Sequence, residues 1–145
     1  MKKTHKIQRD KEYTIEEAYR YLENAKQTLS KSPVEYGLYT DSKYIREAAG
    51  IAYLSALKAI DTYLLYKGID RDKLPKSIDG YWDLMRKKIP VNGKLKSALT
   101  IAWENLHVFA YYRGAKDVKL LKSGFENCKK IIQMLEKAMK KTKNI

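Results

Sequence analysis

From Val118 to Met139 the apolar residues Val118, Leu121, Phe125, Cys128, Ile132, Leu135 and Met139 recur at alternating steps of three and four. Successive residues of an α-helix turn by roughly 100°, so this spacing lays all of them along one stripe. A stripe that long leaves water only by packing against other helices. The same rhythm returns upstream. Ala18, Leu22, Ala25 and Leu29 form the stripe of a first helix, opened by a capping box of Thr14 and Glu17 and closed near Lys31 by Ser32-Pro33. Asp41 caps a second helix with Ile45, Ala49, Ala52, Ala56, Ala59 and Tyr63 on one face and Ala48, Leu57, Ile60 and Leu64 beside it, ending at Gly68. So wide a stripe marks the central helix. Ser77 caps a short third helix through Tyr81, Trp82, Leu84 and Met85, which ends before Pro90. Asn92-Gly93 opens a fourth, with Leu95, Leu99, Ala102, Leu106, Phe109 and Arg113 in register until Gly114.

No segment alternates with period two for long enough to argue a strand, and the connections are short enough to favour antiparallel neighbours. The expectation is an all-α fold, an up-and-down bundle of four long helices plus one short helix. Its domain covers residues 14–140, between a basic tail at 1–13 and a tail at 141–145. At 145 residues one core is expected. The single Cys128 offers no disulfide, redox pair or zinc set, which fits a reducing, cytoplasmic setting. Met1 to Tyr13 has no apolar core behind its lysines and reads as neither secretory signal nor transit peptide. The charge-free run Ala48 to Leu57 is far short of the roughly twenty residues a membrane span needs.

Charge narrows the partners. Thirty Lys and Arg stand against seventeen Asp and Glu, a net +13, and each tail contributes only +3 of it. Between Asp83 and Glu104 there is no acidic residue, while Arg86, Lys87, Lys88, Lys94 and Lys96 surround the turn joining the third and fourth helices. At the next turn Arg113, Lys116, Lys119 and Lys122 cluster beside Tyr111 and Tyr112. Cations for phosphates and aromatics for stacking are what single-stranded nucleic acid uses. RNA or another polyanion is therefore the first candidate ligand, although lysines at a helix end also complement its dipole. The twelve tyrosines, against two phenylalanines, suit boundaries apolar on one side and wet on the other, at a core edge or a protein interface.

Chemistry has fewer candidates. His107 has Glu104 and Tyr111 within one helical turn, so Glu104 could orient the imidazole as a general base while Arg113 holds a phosphate. The plainer reading is a boundary histidine packed beside Leu106 and hydrogen-bonded to Glu104. No metal set and no phosphate-cradling glycine loop is present in the sequence, and no cofactor is expected.

The second helix, Arg46-Glu47-Ala48-Ala49 through Ala56-Leu57-Lys58-Ala59-Ile60-Asp61 to Leu64-Leu65, resembles the central helix of HEPN domains (higher eukaryotes and prokaryotes nucleotide-binding). The pairing of Tyr111-Tyr112-Arg113 with a final long helix is similar as well. The resemblance implies a bundle that acts as a homodimer, often as a metal-independent ribonuclease in a toxin or defence system. Such ribonucleases carry an Arg followed four to six residues later by His. Here the positions before His107 hold Thr100, Ile101 and Ala102, and only the reversed order His107 to Arg113 occurs. The resemblance thus implies a non-catalytic member that binds RNA, nucleotide or a partner protein. Its rivals are an atypical ribonuclease around His107 and Arg113, and a structural assembly protein.

Overall fold

The computed structural model describes residues 11–89 and 93–143. Most of the N-terminal tail, Pro90 and Asn92 lie outside the described residues, as does the end of the C-terminal tail. Helix α1 is Ile15–Leu29, α2 Ser42–Tyr66, α3 Ile78–Lys88, α4 Gly93–Ala102 and α5 Val118–Lys143. The chain is an all-α bundle of these five helices, α3 being short, and α4 continues as a π-helical segment, Trp103–Tyr112.

Local chemistry sets the helix ends. The Thr14 hydroxyl accepts from the Glu17 N–H at 3.1 Å, but the Glu17 carboxylate turns to the Arg20 guanidinium, so only half of the expected capping box forms. The Asp41 carboxylate accepts from Lys43 N–H at 3.1 Å and the Ser77 hydroxyl from Gly80 N–H at 3.1 Å, capping α2 and α3. Gly68, at φ 96°, turns the chain out of α2.

Helices α1 and α5 pack along α2, α4 packs on α5, and the π segment lies against both α2 and α5. The stripes read from the sequence are the core. Ala18, Leu22, Ala25 and Leu29 are buried on α1; Ile45, Ala49, Ala52, Ala56, Ala59 and Tyr63 on α2; Leu121, Phe125, Cys128, Ile132 and Leu135 on α5. The alanines of α2 let its neighbours come close, and fully burying each Leu or Ile stabilises the bundle by roughly 1.5–3 kcal/mol.

Two features depart from the sequence reading. Between α1 and α2 a small hairpin forms, β1 Val34–Glu35 paired antiparallel with β2 Leu38–Tyr39. Its turn residues Tyr36 and Gly37 have φ of 54° and 76°, the left-handed pair that matches strand twist. Two-residue strands are too short to show alternation. The hairpin is pinned from outside, since Tyr39 N–H donates to the Lys116 carbonyl at 2.9 Å and Val118 N–H to the Gly37 carbonyl at 3.1 Å.

The second departure is the winding after Ala102. The Arg113 N–H donates to the Val108 carbonyl at 3.0 Å, a five-residue step. Wider turns advance by less than an α-helix per residue, so a step of four and not three returns to the core. Ala102, Leu106 and Ala110 are buried, while Phe109, expected in the seam, is 40% exposed. Arg113 also points to solvent.

Candidate nucleic-acid interface

Helix α3 is held at a few points. Tyr81 and Met85 are its only buried residues, followed by Ile89 just beyond its end. The Tyr81 hydroxyl donates to the Asp61 carboxylate of α2 at 2.8 Å. Burial dominates there: it drives the Asp61 carboxyl up to about 6 against the pull of that hydrogen bond and of Lys58, and it raises the Tyr81 hydroxyl as well.

Between α3 and the α4 rod a cleft of about 580 Å³ remains, with Met85, Ile89 and Leu95 among its lining. Both tryptophans of the chain, Trp82 and Trp103, line it. The other lining residues are Arg86, Lys96, Thr100 and Gly93, so none of the described lining is acidic. Helical spacing explains the convergence, because Trp82 and Arg86 are four apart on α3, and Lys96, Thr100 and Trp103 follow at steps of four and three. The size and the mainly apolar lining suit a small planar ring, and the two cations suit an anionic group attached to it.

Of the residues singled out in the sequence, Arg86 and Lys96 reach this cleft. Arg86 also pairs with Asp83 at 2.9 Å, as does Lys87 at 3.2 Å, and Lys88 is exposed on the same last turn. Lys94 lines a different groove, between α4 and α5. Basic clusters alone do not single out Trp82 and Trp103 as ligand contacts, but the sequence carries their signal, as the only tryptophans of the chain stand one and two turns from the basic residues of an acid-free stretch.

His107 sits on the π segment in a second groove, of about 600 Å³, whose lining includes Tyr53, Tyr81, Trp103, Tyr112, Arg113 and Lys76. Trp103 is thus a wall shared by both cavities. The imidazole stacks between two tyrosines, with ring centroids 5.1 Å from Tyr53 and 5.9 Å from Tyr111 and planes tilted by 28° and 20°. Glu104, its expected partner, is exposed. Burial pushes up the Tyr53 hydroxyl, whose ring lies against the imidazole. His107 and Arg113 do share this groove, so the structure brings them together while Glu104 is not part of the lining.

The exposed Tyr111 and Tyr112 are fixed through their backbone. Arg46 of α2 donates from one guanidinium nitrogen to both carbonyls, at 2.8 and 3.0 Å, where the helical rod ends with unpaired acceptors. Gly114, at φ 74°, takes the left-handed conformation that favours glycine, and the Arg46 guanidinium packs close over it, 2.6 Å from where a Cβ would stand. Lys116 is exposed and its carbonyl anchors the hairpin.

Among the described residues no group of three or more His, Cys, Asp or Glu could hold a metal ion. Cys128 is fully buried and its thiol is pushed up to about 12 by that burial, so it is no nucleophile. No helix of the described residues is long and apolar enough to cross a membrane.

No curated protein matches the chain. Among solved structures, a protein of unknown function from Dyadobacter fermentans is similar, with a TM-score of 0.74 and 32% identity over 86% of this chain and 94% of that one. The family model described as "Domain of unknown function (DUF5618)" matches residues 13–137. That match takes in every helix that shapes the two cavities, and the chain belongs to the DUF5618 family.

Proposed function

We propose that this domain is a non-catalytic binding module for single-stranded RNA, and that the cleft between α3 and α4 is where a base is held. The carrying observation is the meeting of both tryptophans with Arg86 and Lys96 around a cavity of about 580 Å³ with no acidic residue in its described lining. Tryptophan faces supply stacking that tolerates any base, worth roughly 1–3 kcal/mol per base, and the cations supply phosphate contacts that weaken as salt rises. A duplex hides its base faces, so the ligand is single-stranded. A HEPN-like relation, resting on the α2 pattern, agrees with an RNA ligand and is part of the same proposal.

The test is a titration with short single-stranded RNA followed by tryptophan fluorescence, since both emitters are in the cleft. Quenching is expected, with affinity falling as salt is raised, and Trp103→Ala should weaken binding by about tenfold, as the loss of one stacked base implies. Absence of RNA retention at low salt would remove the proposal.

One observation favours a second reading. His107 and Arg113 line a common groove, the pairing an atypical ribonuclease would need for a general base and a phosphate clamp. RNA cleavage that disappears in His107→Ala supports it, and cleavage persisting unchanged in that variant assigns the activity to a contaminant.

A further inference from the structure

The His107 groove and the tryptophan cleft follow one another along a single seam. On α3, Ile78, Trp82 and Arg86 recur at steps of four, and on the facing rod Lys96, Thr100, Trp103 and His107 recur at steps of four, three and four, so each series keeps to one face of its helix. The cleft takes Trp82, Arg86, Lys96 and Thr100 from these series, and the groove takes Ile78 and His107. Trp103 belongs to both. It is half-buried, so its ring stands at the boundary between the cavities with part of its surface open. The residues of both helices around this boundary are all described.

The groove is equipped for an anion that carries a ring. Lys76, just before α3, and Arg113, at the end of the rod, line it, are exposed, and form no ion pair among the described residues. Arg86 of the cleft, by contrast, is shared with Asp83. None of the described lining of the groove is acidic. Tyr112, 74% exposed, offers an aromatic surface opposite no partner ring. The faces of the His107 imidazole are taken by Tyr53 and Tyr111, with centroids at 5.1 and 5.9 Å, so that ring meets a ligand by its edge, as a hydrogen-bonding group.

We infer, on the RNA reading above, that the groove is a second nucleotide subsite and that Trp103 is a wedge between two successive bases, one in the cleft and the next in the groove. A single ring inserted between stacked bases widens their separation from about 3.4 to about 7 Å, which is what one shared side chain between two subsites requires. The RNA backbone crosses the outer edge of the indole, and Lys76 and Arg113 take the phosphate of the second nucleotide. His107 and Arg113 then hold the strand and do not cut it. A mononucleotide fills either subsite, and a dinucleotide fills both at once.

The experiment is an NMR titration of the full chain, in which the Trp82 indole reports the cleft and the His107 ring reports the groove. The ligands are adenosine monophosphate, a 5′-phosphorylated adenine dinucleotide, and two dinucleotides that each lack one of the bases. In the wild-type chain both reporters should shift with either complete ligand, and the dinucleotide should bind about tenfold or more tightly than the monophosphate, the increment of a second stacked base. Each abasic form should lose that gain. Lys76→Glu and Arg113→Glu change exposed residues that line the groove and not the cleft. In both variants the monophosphate should still shift Trp82 but no longer His107, and the dinucleotide should fall to the affinity of the monophosphate. Lys26→Glu, the same charge change on the exposed face of α1, should alter nothing.

A dinucleotide that shifts Trp82 and leaves His107 unmoved would overturn the second subsite and leave the cleft. Abasic dinucleotides as tight as the complete one would reduce the groove to a phosphate contact and overturn the wedge. Equal losses from Lys26→Glu and Lys76→Glu would overturn it as a long-range field. Cleavage of the dinucleotide that disappears in His107→Ala would overturn the holding role. Failure of every ligand to bind the wild-type chain would remove the RNA reading itself, and polyglutamate displacing the dinucleotide as well as RNA does would overturn the nucleotide assignment in favour of an acidic peptide.

Discussion

The bundle is built to two densities. Along α1, α2 and α5 the facing residues are alanines, leucines and isoleucines with almost no exposed surface, and Ile45, Ile60, Leu121, Ile131 and Ile132 are completely enclosed. By contrast, α3 is seated by Tyr81, Met85 and Ile89 and leaves cavities on both sides of Trp103. The difference shows where stability and recognition have been placed. The facing surfaces of the first region are filled by small and branched apolar side chains, and the second keeps large aromatic side chains half exposed beside cations, which is how binding surfaces differ from cores.

The comparison breaks most readily at the centre of the dense region. Leu135→Ala leaves a cavity between α5 and its neighbours and should cost about 2–5 kcal/mol in urea unfolding. Trp82→Ala, in the open region, should cost clearly less, because its ring is already partly in water. Equal losses in the two variants would mean that α3 is packed as tightly as the rest.

The joint between the two regions is the Asp61 to Tyr81 hydrogen bond, and it makes stability depend on pH. The Asp61 carboxyl is raised to about 6 in the folded chain from an ordinary 3.8. Between those values the folded state holds a proton that the unfolded chain has released, so stability is greatest below the unfolded value and declines as pH rises through 6. A shift of that size corresponds to roughly 3 kcal/mol between the two limits. Asn at this position keeps an acceptor for the Tyr81 hydroxyl and carries no charge to bury. Asp61→Asn should therefore be more stable than the wild-type chain at pH 8 and converge with it near pH 4 in paired denaturation series. A constant gap between the two across that range would show that the carboxylate is not buried at the joint.

Much of the dense region is legible in the sequence and much of the open one is not, for physical reasons. Three-and-four spacing locates Leu22, Ala52 and Cys128 because an α-helix repeats its face regularly. The same arithmetic places Phe109 in the core and is wrong there, since nothing in Leu106 to Arg113 signals that the winding loosens to a five-residue step. The hairpin escapes because two-residue strands carry no period. The candidate site divides along the same line. Arg86, Lys96 and Lys94 are found by an acid-free stretch, but which tryptophans complete the cleft depends on how α3 lies against α4, a tertiary fact. His107 is likewise identifiable as a residue and not as a ring stacked between Tyr53 and Tyr111.

A smaller effect tests how the loosened winding is held in place. Gly124 of α5 lies under Leu106, and a Cβ there would stand 2.5 Å from the nearer leucine methyl, at a position with no exposed surface to which the leucine could retreat. Gly124→Ala should cost roughly 1–3 kcal/mol through overpacking. Leu106→Ala alone opens a cavity in the same place. Combined, the two substitutions relieve each other, so the double variant should be more stable than the sum of the single losses predicts. Strict additivity in that cycle would mean that the π segment and α5 do not meet at this pair. The winding would then need another anchor, with the Arg46 grip on the carbonyls of Tyr111 and Tyr112 the next to be cut.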